Sequence, residues 1–191
     1  MGMKKPVVFI DRDGTINVDG GYINHADNFI LYPFAAQAIR MLNTHGYLAV
    51  VVTNQSGIAK GFYTEEVMHE LHGEMKTRLA RGGARVDAIY YCPHDPDAKI
   101  EQYRMVCRCR KPDTGMLEQA IAELPIDTTR MTMVGDKYGD IQTGFKMNCR
   151  TIMLNTGYGA GEYRLKSSGW ARQPDYRAEN LLEAIGIVLN K

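Results

Sequence analysis

Four apolar residues, Val7-Val8-Phe9-Ile10, run straight into Asp11-Arg12-Asp13-Gly14, and the same change from apolar to polar recurs along the chain. Tyr47 to Val52 gives way to Thr53-Asn54-Gln55-Ser56, and Met131 to Val134 gives way to Gly135-Asp136-Lys137. With Val86 to Tyr91 and Thr151 to Leu154, these runs are short and rich in β-branched or aromatic residues, as buried strands are. Between them the apolar positions recur at helical spacing. Phe34, Ala38, Met41 and Leu42 share one face; Val67, Leu71, Met75 and Leu79 share another, behind a Thr64 N-cap and the first-turn acids Glu65 and Glu66. Leu181, Leu182, Ile185, Val188 and Leu189 make a last helix. Strands that are apolar on both faces and alternate with helices predict an α/β fold, a three-layer sandwich around a mainly parallel, Rossmann-like sheet. Three stretches stay irregular, 14–33, 92–112 and 156–176, and long loops in a compact domain are usually functional.

In open α/β sheets, ligands bind beyond the carboxyl ends of the strands. Three separate runs here deliver polar residues to that edge, a poor way to build a core and a sensible way to build a site. The chemistry they suit is phosphoryl transfer. A carboxylate such as Asp11 can act as a covalent nucleophile through an aspartyl-phosphate. Asp13, brought back by the turn at Gly14, can serve as general acid and then as base toward water. The charge on the phosphoryl oxygens calls for a cation, and magnesium would be satisfied by Asp11, Asp136, a backbone carbonyl, waters and substrate. Thr53 and Lys111 supply the hydroxyl and the ammonium that hold the remaining oxygens.

The cysteines add a second metal. Cys92-Pro93-His94, twelve residues, then Cys107-Arg108-Cys109 offers three thiolates and an imidazole, a closed set suited to structural zinc. The alternative is four reduced, unpaired groups; a disulfide across Cys107-Arg108-Cys109 would be badly strained. Arg110 and Lys111 follow directly, so a metal clamp would aim two cations at the phosphate site. Cys149 reads as a small buried apolar residue.

Composition confines the picture without changing it. The 191 residues suit a single domain, 1–191, with a core that needs no disulfides. With 45% hydrophobic and 24% charged residues the chain is of the soluble globular kind, and its apolar runs are strand-sized. The start MGMKKPVV lacks the regions of a secretory signal, so a cytoplasmic location is expected, and no membrane partner; a monomer is expected as well. A net charge of +1 argues against a broad nucleic-acid-binding face.

Asp11-x-Asp13-Gly14-Thr15, Thr53, Lys111-Pro112 and Gly135-Asp136-x-x-x-Asp140 occur in this order over residues 7 to 140 and resemble the four motifs of the haloacid dehalogenase-like phosphatases. The resemblance implies that Asp11 is the nucleophile, Asp13 the acid and base, and Asp136 a magnesium ligand together with the backbone oxygen of Asp13. Asp140 is placed behind the ion. The family often carries a cap domain, but the segments between these motifs leave no room for a large one. CPH, CRCRKP and DRDGTIN, with VDGGY at 18–22, TNQSGIAKG at 53–61 and KPDTGML at 111–117, are similar to the branch that acts on a heptose 1,7-bisphosphate and carries a zinc-stapled loop. That likeness implies removal of the 7-phosphate of a small phosphorylated sugar, in nucleotide-activated heptose and lipopolysaccharide or surface-glycan precursor synthesis. It also implies a substrate pocket of Asp19, Gly20, Gly21, Tyr22, Asn54, Gln55, Ser56, Arg110 and Lys137. Residues 156–176 depart from the branch's pattern.

Other readings stand beside this one. The related histidinol-phosphate phosphatases also have a zinc loop, though with a shorter spacer, so histidinol phosphate or another small phosphorylated metabolite is an alternative substrate. A zinc-loop nucleic-acid-binding module using Arg104, Arg108, Arg110 and Lys111 would bind oligonucleotides in a salt-sensitive way. A catalytically dead relative is disfavoured by the intact Asp11 and Asp13. His25, His45, His69 and His72 have no metal-like spacing and read as surface or core residues. Gly157-x-Gly159-x-Gly161 resembles half of a dinucleotide fingerprint, but it follows the last strand read from the sequence and lacks the partner acid.

Overall fold

A computed structural model describes residues 3–190. Six strands, β1 (Lys5–Ile10), β2 (Leu48–Asn54), β3 (Ala88–Cys92), β4 (Ile126–Gly135), β5 (Arg150–Leu154) and β6 (Tyr176–Ala178), form one sheet in the order β3-β2-β1-β4-β5-β6, every pairing parallel. The helices are α1 (Ala35–Thr44), α2 (Ser56–Ala59), α3 (Glu65–Arg81), α4 (Gly115–Glu123), α5 (Tyr138–Lys146), α6 (Gly159–Lys166) and α7 (Leu181–Leu189).

The continuous apolar runs become central strands because both faces of the sheet are covered. Along β1, Val8 and Ile10 join the core under α1, α3 and α7, while Val7 and Phe9 join the core under α4. All four are fully buried. Burying a side chain of this size stabilises by about 1.5–3 kcal/mol, and β1 does so on both faces. Thr64 caps α3 as its sequence position suggests, its side chain accepting the Val67 N–H.

The strand order reverses between β1 and β4, where the connections diverge and a crevice opens at the carboxyl ends. Asp11, Thr53 and Asp136 end β1, β2 and β4 beside it.

Several elements differ from the sequence expectation. The stretch 156–176 contains α6, and the edge strand β6 follows at its end. β3 starts at Ala88 rather than Val86, because Asp87 turns its carboxylate to the Ala49 N–H. β4 begins at Ile126, five residues early, with a register shift opposite Lys5 and Val7 that places polar Asp127 to Arg130 outward. Between the strands, among the described residues, lie only the helices above, three short 3-10 turns and loops, with no inserted cap.

Candidate active site

The end of β1 folds back on itself. Gly14, at φ +83°, donates its N–H to the Asn17 carbonyl, and the N–H groups of Ile16 and Asn17 reach the Arg12 carbonyl. This turn swings Asp13 back beside β2. Its carboxylate accepts from Asn17 Nδ2 at 2.9 Å, Gln55 Nε2 at 2.9 Å and Arg12 Nη2 at 2.7 Å. Burial works against ionisation, but Arg12 and these hydrogen bonds outweigh it and hold Asp13 below the ordinary aspartate range.

Asp11 lies deeper, 5% exposed. Lys111 Nζ sits 2.6 Å from Asp11 Oδ1, 2.6 Å from Asp140 Oδ1 and 2.8 Å from the Val52 carbonyl. Burial raises the Asp11 carboxyl to about 6 against the pull of Lys111. Burial would lower Lys111, but Asp11 and Asp140 reverse this and raise it, so the ammonium stays charged. Its backbone is fixed by Asn54, which donates Nδ2 to the Lys111 carbonyl and accepts the Lys111 N–H on Oδ1, both at 3.0 Å. The last residue of β2 thus sets the position of a lysine 57 residues away. Thr53 Oγ1, buried, accepts from Gln55 Nε2 at 2.8 Å.

Asp136 is fully buried at the end of β4. Its Oδ2 accepts the Tyr158 N–H at 2.9 Å, and Oδ1 has no partner. Burial, then Asp11 and Asp140, push its carboxyl up to about 8. The chain reaches this close because Gly157, at φ +56°, has no side chain: a Cβ there would lie 2.2 Å from Asp136 Oδ2. Thr156 Oγ1 donates to the Gly14 carbonyl and closes the same corner.

Oxygens of Asp11, Asp136 and Asp140 lie within 4.8 Å of one another. Asp140 has both oxygens engaged, Oδ1 by Lys111 and Oδ2 by the Lys137 N–H, so the orphaned oxygen belongs to Asp136. An unpaired buried carboxylate oxygen beside a second carboxylate fits a hard divalent cation such as magnesium. Cys92, His94, Cys107 and Cys109 converge likewise, their ligand atoms within 4.8 Å.

A cavity of about 470 Å³ opens over these groups. Asp11, Asp13, Thr53 and Lys111 line its floor, and Asp19, Gly21, Tyr22, Asn54, Gln55, Ser56 and Lys137 its walls. Lys137 Nζ reaches Asp19 Oδ2 at 3.1 Å and lies 4.7 Å from the Tyr158 ring centroid. Two residues expected in the pocket are not brought to it. Gly20 is exposed on the outside of a turn that Asp19 closes through the Gly21 N–H. Arg110 turns its guanidinium to the His94 carbonyl at 3.0 Å and to Asp95 at 3.5 Å, so of the neighbouring pair Arg110 and Lys111 only the lysine lines the cavity.

Other residues of the site escaped the sequence reading. Arg12, Asn17 and Tyr63 surround Asp13 and Gln55. Gly157 and Tyr158 hold Asp136. The glycine spacing at 157–161 was visible, and its use is close backbone approach to a carboxylate rather than to a dinucleotide.

A buried carboxylate at the end of the first strand, a lysine against it and an orphaned acid beside both make a centre for transferring phosphoryl groups. A family model described as HAD-hydrolase-like matches residues 108–184. The chain belongs to the haloacid dehalogenase-like hydrolases. It is 47% identical over 153 residues to the D-glycero-beta-D-manno-heptose-1,7-bisphosphate 7-phosphatase of Photorhabdus laumondii, covering 80% of this chain and 81% of that one. The protein of the same name from Haemophilus influenzae is 47% identical over 160 residues, with 81% and 86% covered. Among solved structures, the D,D-heptose 1,7-bisphosphate phosphatase of B. bronchiseptica, complexed with magnesium and phosphate, superposes with a TM-score of 0.84 at 31% identity, over 98% of this chain and 99% of that one.

Proposed function

We propose that the chain, acting as one catalytic unit, hydrolyses the 7-phosphate of D-glycero-β-D-manno-heptose 1,7-bisphosphate. The observation that carries the reading is the Asp11 carboxylate at the floor of the cavity, paired at 2.6 Å with the buried Lys111 ammonium. The substrate and its anomer rest on the names of the relatives at 47% identity.

An oxygen of Asp11 attacks phosphorus opposite the sugar oxygen; the new O–P bond forms as the ester P–O bond breaks. Asp13, whose carboxylate must first take up a proton against the pull of Arg12 and its hydrogen bonds, delivers that proton to the departing alkoxide, giving the alcohol and leaving its own carboxylate. Asn17, Gln55 and Arg12 all donate to that carboxylate, the form that then takes a proton from water as the water attacks the aspartyl-phosphate. Inorganic phosphate leaves, Asp11 is restored and Asp13 is again protonated. Thr53 and Lys111 hold phosphoryl oxygens, and Asp19, Tyr22 and Lys137 border the sugar. Magnesium held by Asp11, Asp136 and the Asp13 carbonyl would neutralise phosphoryl charge. Zinc on Cys92, His94, Cys107 and Cys109 would order the loop that ends at Lys111.

The test is phosphate release from both anomers of the heptose bisphosphate and from histidinol phosphate, with magnesium, for the parent and Asp11→Asn. The expected result is preference for the β-heptose ester, retention of the 1-phosphate in the product and no turnover by the variant. Faster release from histidinol phosphate would overturn the substrate, and turnover by Asp11→Asn would overturn the nucleophile.

A further inference from the structure

Arg12 is the bulkiest fully buried side chain of the described residues, 1% exposed. A guanidinium cannot shed its charge and only donates, so its surroundings must supply acceptors in fixed directions. One side meets Asp13, through Nε at 3.2 Å and Nη2 at 2.7 Å. Nη2 also reaches Gln55 Oε1 at 3.0 Å. The far side meets α3: Nη1 lies 3.1 Å from His72 Nε2, and that ring is itself 4% exposed. Because Arg12 can only donate, His72 must accept on Nε2, which makes the ring neutral with its proton on Nδ1. The Phe29 ring, 5.9 Å from Cζ, closes one face of the guanidinium.

We propose that His72 is a positioning residue for the reaction: by accepting from Arg12 it fixes the plane of the guanidinium, and through it the direction in which Asp13 presents its carboxyl to the leaving oxygen. This rests on the reading of Asp13 as general acid and extends it to a helix that does not line the cavity floor. Without the acceptor, Nη1 is left buried with a charge and no partner, and the guanidinium must rotate to find one. Asp13 turns with it. Asp11, held by Lys111 on the opposite side, does not.

That asymmetry gives the test. Expulsion of an alkoxide needs a well-placed acid; expulsion of p-nitrophenolate, stable as an anion, hardly does. The measure is kcat/KM, which reports steps only as far as leaving-group departure, for the wild-type enzyme's best sugar phosphate and for p-nitrophenyl phosphate. His72→Leu is expected to lose about 10-fold or more on the sugar ester, since small misplacements of catalytic groups cost up to about 100-fold, and about threefold or less on the aryl ester. His72→Gln, whose amide oxygen can stand where Nε2 stood, is expected to restore the ratio of the two. The ratio is taken within one preparation, so a misfolded fraction cancels; should the leucine variant not fold, His72→Met replaces it.

Equal losses on both esters, or a glutamine variant no better than leucine, would overturn the proposal. Asp13→Asn is run alongside. If it falls far more on the sugar ester while the His72 variants do not, the proposal alone fails. If Asp13→Asn also falls equally on both, the general-acid role fails and takes the proposal with it.

Discussion

Replacing Gly157 with alanine probes the corner where the chain after β5 meets Asp136. The new Cβ would stand 2.2 Å from Asp136 Oδ2 and 2.7 Å from the Gly14 Cα, so neither neighbour is the loose end of a flexible side chain. Asp136 cannot swing aside freely, because the same Oδ2 holds the Tyr158 N–H. Two costs add. An L-residue in the left-handed region costs about 1–2 kcal/mol. Relief of the overlap by backbone shift costs about 1–3 kcal/mol more. The expected loss is about 2–5 kcal/mol, which for a chain of this size lowers Tm by about 4–20 °C. Calorimetry gives the Tm, and titration of activity with magnesium gives the second readout, since a displaced Asp136 raises the magnesium concentration needed. Gly161→Ala is the control: a Cβ there meets nothing within 4 Å, and alanine in a helix is favoured over glycine by about 1 kcal/mol. A Gly157→Ala protein that melts within about 2 °C of the parent, a shift worth about 1 kcal/mol or less, and responds to magnesium as the parent does would refute the argument that glycine is required here.

Other expectations concern the Lys111 side of the site. Asn54→Ala removes both hydrogen bonds to the Lys111 backbone; stability should fall by about 1–3 kcal/mol, and kcat by more than KM rises. A rise in KM with kcat unchanged would mean that Asn54 serves substrate binding and not lysine placement. Chelating the zinc proposed for the Cys92, His94, Cys107 and Cys109 cluster should speed amide exchange across 93–109 and raise KM, while β1, β2 and the Lys111 amide stay protected. Uniform loss of protection would show instead that the cluster supports the whole fold.

What could be read in advance followed from physics that is local in sequence. β1, β2 and β4 announce themselves because strands covered on both faces must be apolar throughout, and their polar ends mark the ligand edge. Thr64 and the helix behind it were legible for the same local reason. β6 was not: three residues at the sheet edge, paired on one side only, carry too little pattern to stand out. α6 was hidden by its composition, with Leu165 and Tyr158 exposed and Arg164 and Lys166 solvated, so no apolar stripe marks it. Arg12 looked like one charge among three at a strand end. Its burial depends on His72 and Gln55, which sequence distance hides, and Arg110 was misplaced because Asp95 draws it away. The candidate acids were legible because their spacing is short; the groups that hold them were not, because those come from other elements.

The pair of bonds from Asn54 also bears on how such a molecule can diverge. Since β2 grips the lysine by its main chain, the stretch 96–106, which carries none of the cluster's Cys and His residues, can lengthen, shorten or change sequence while Asn54 keeps its hold on Lys111. Evolution can therefore remodel that loop while the reacting centre keeps its shape.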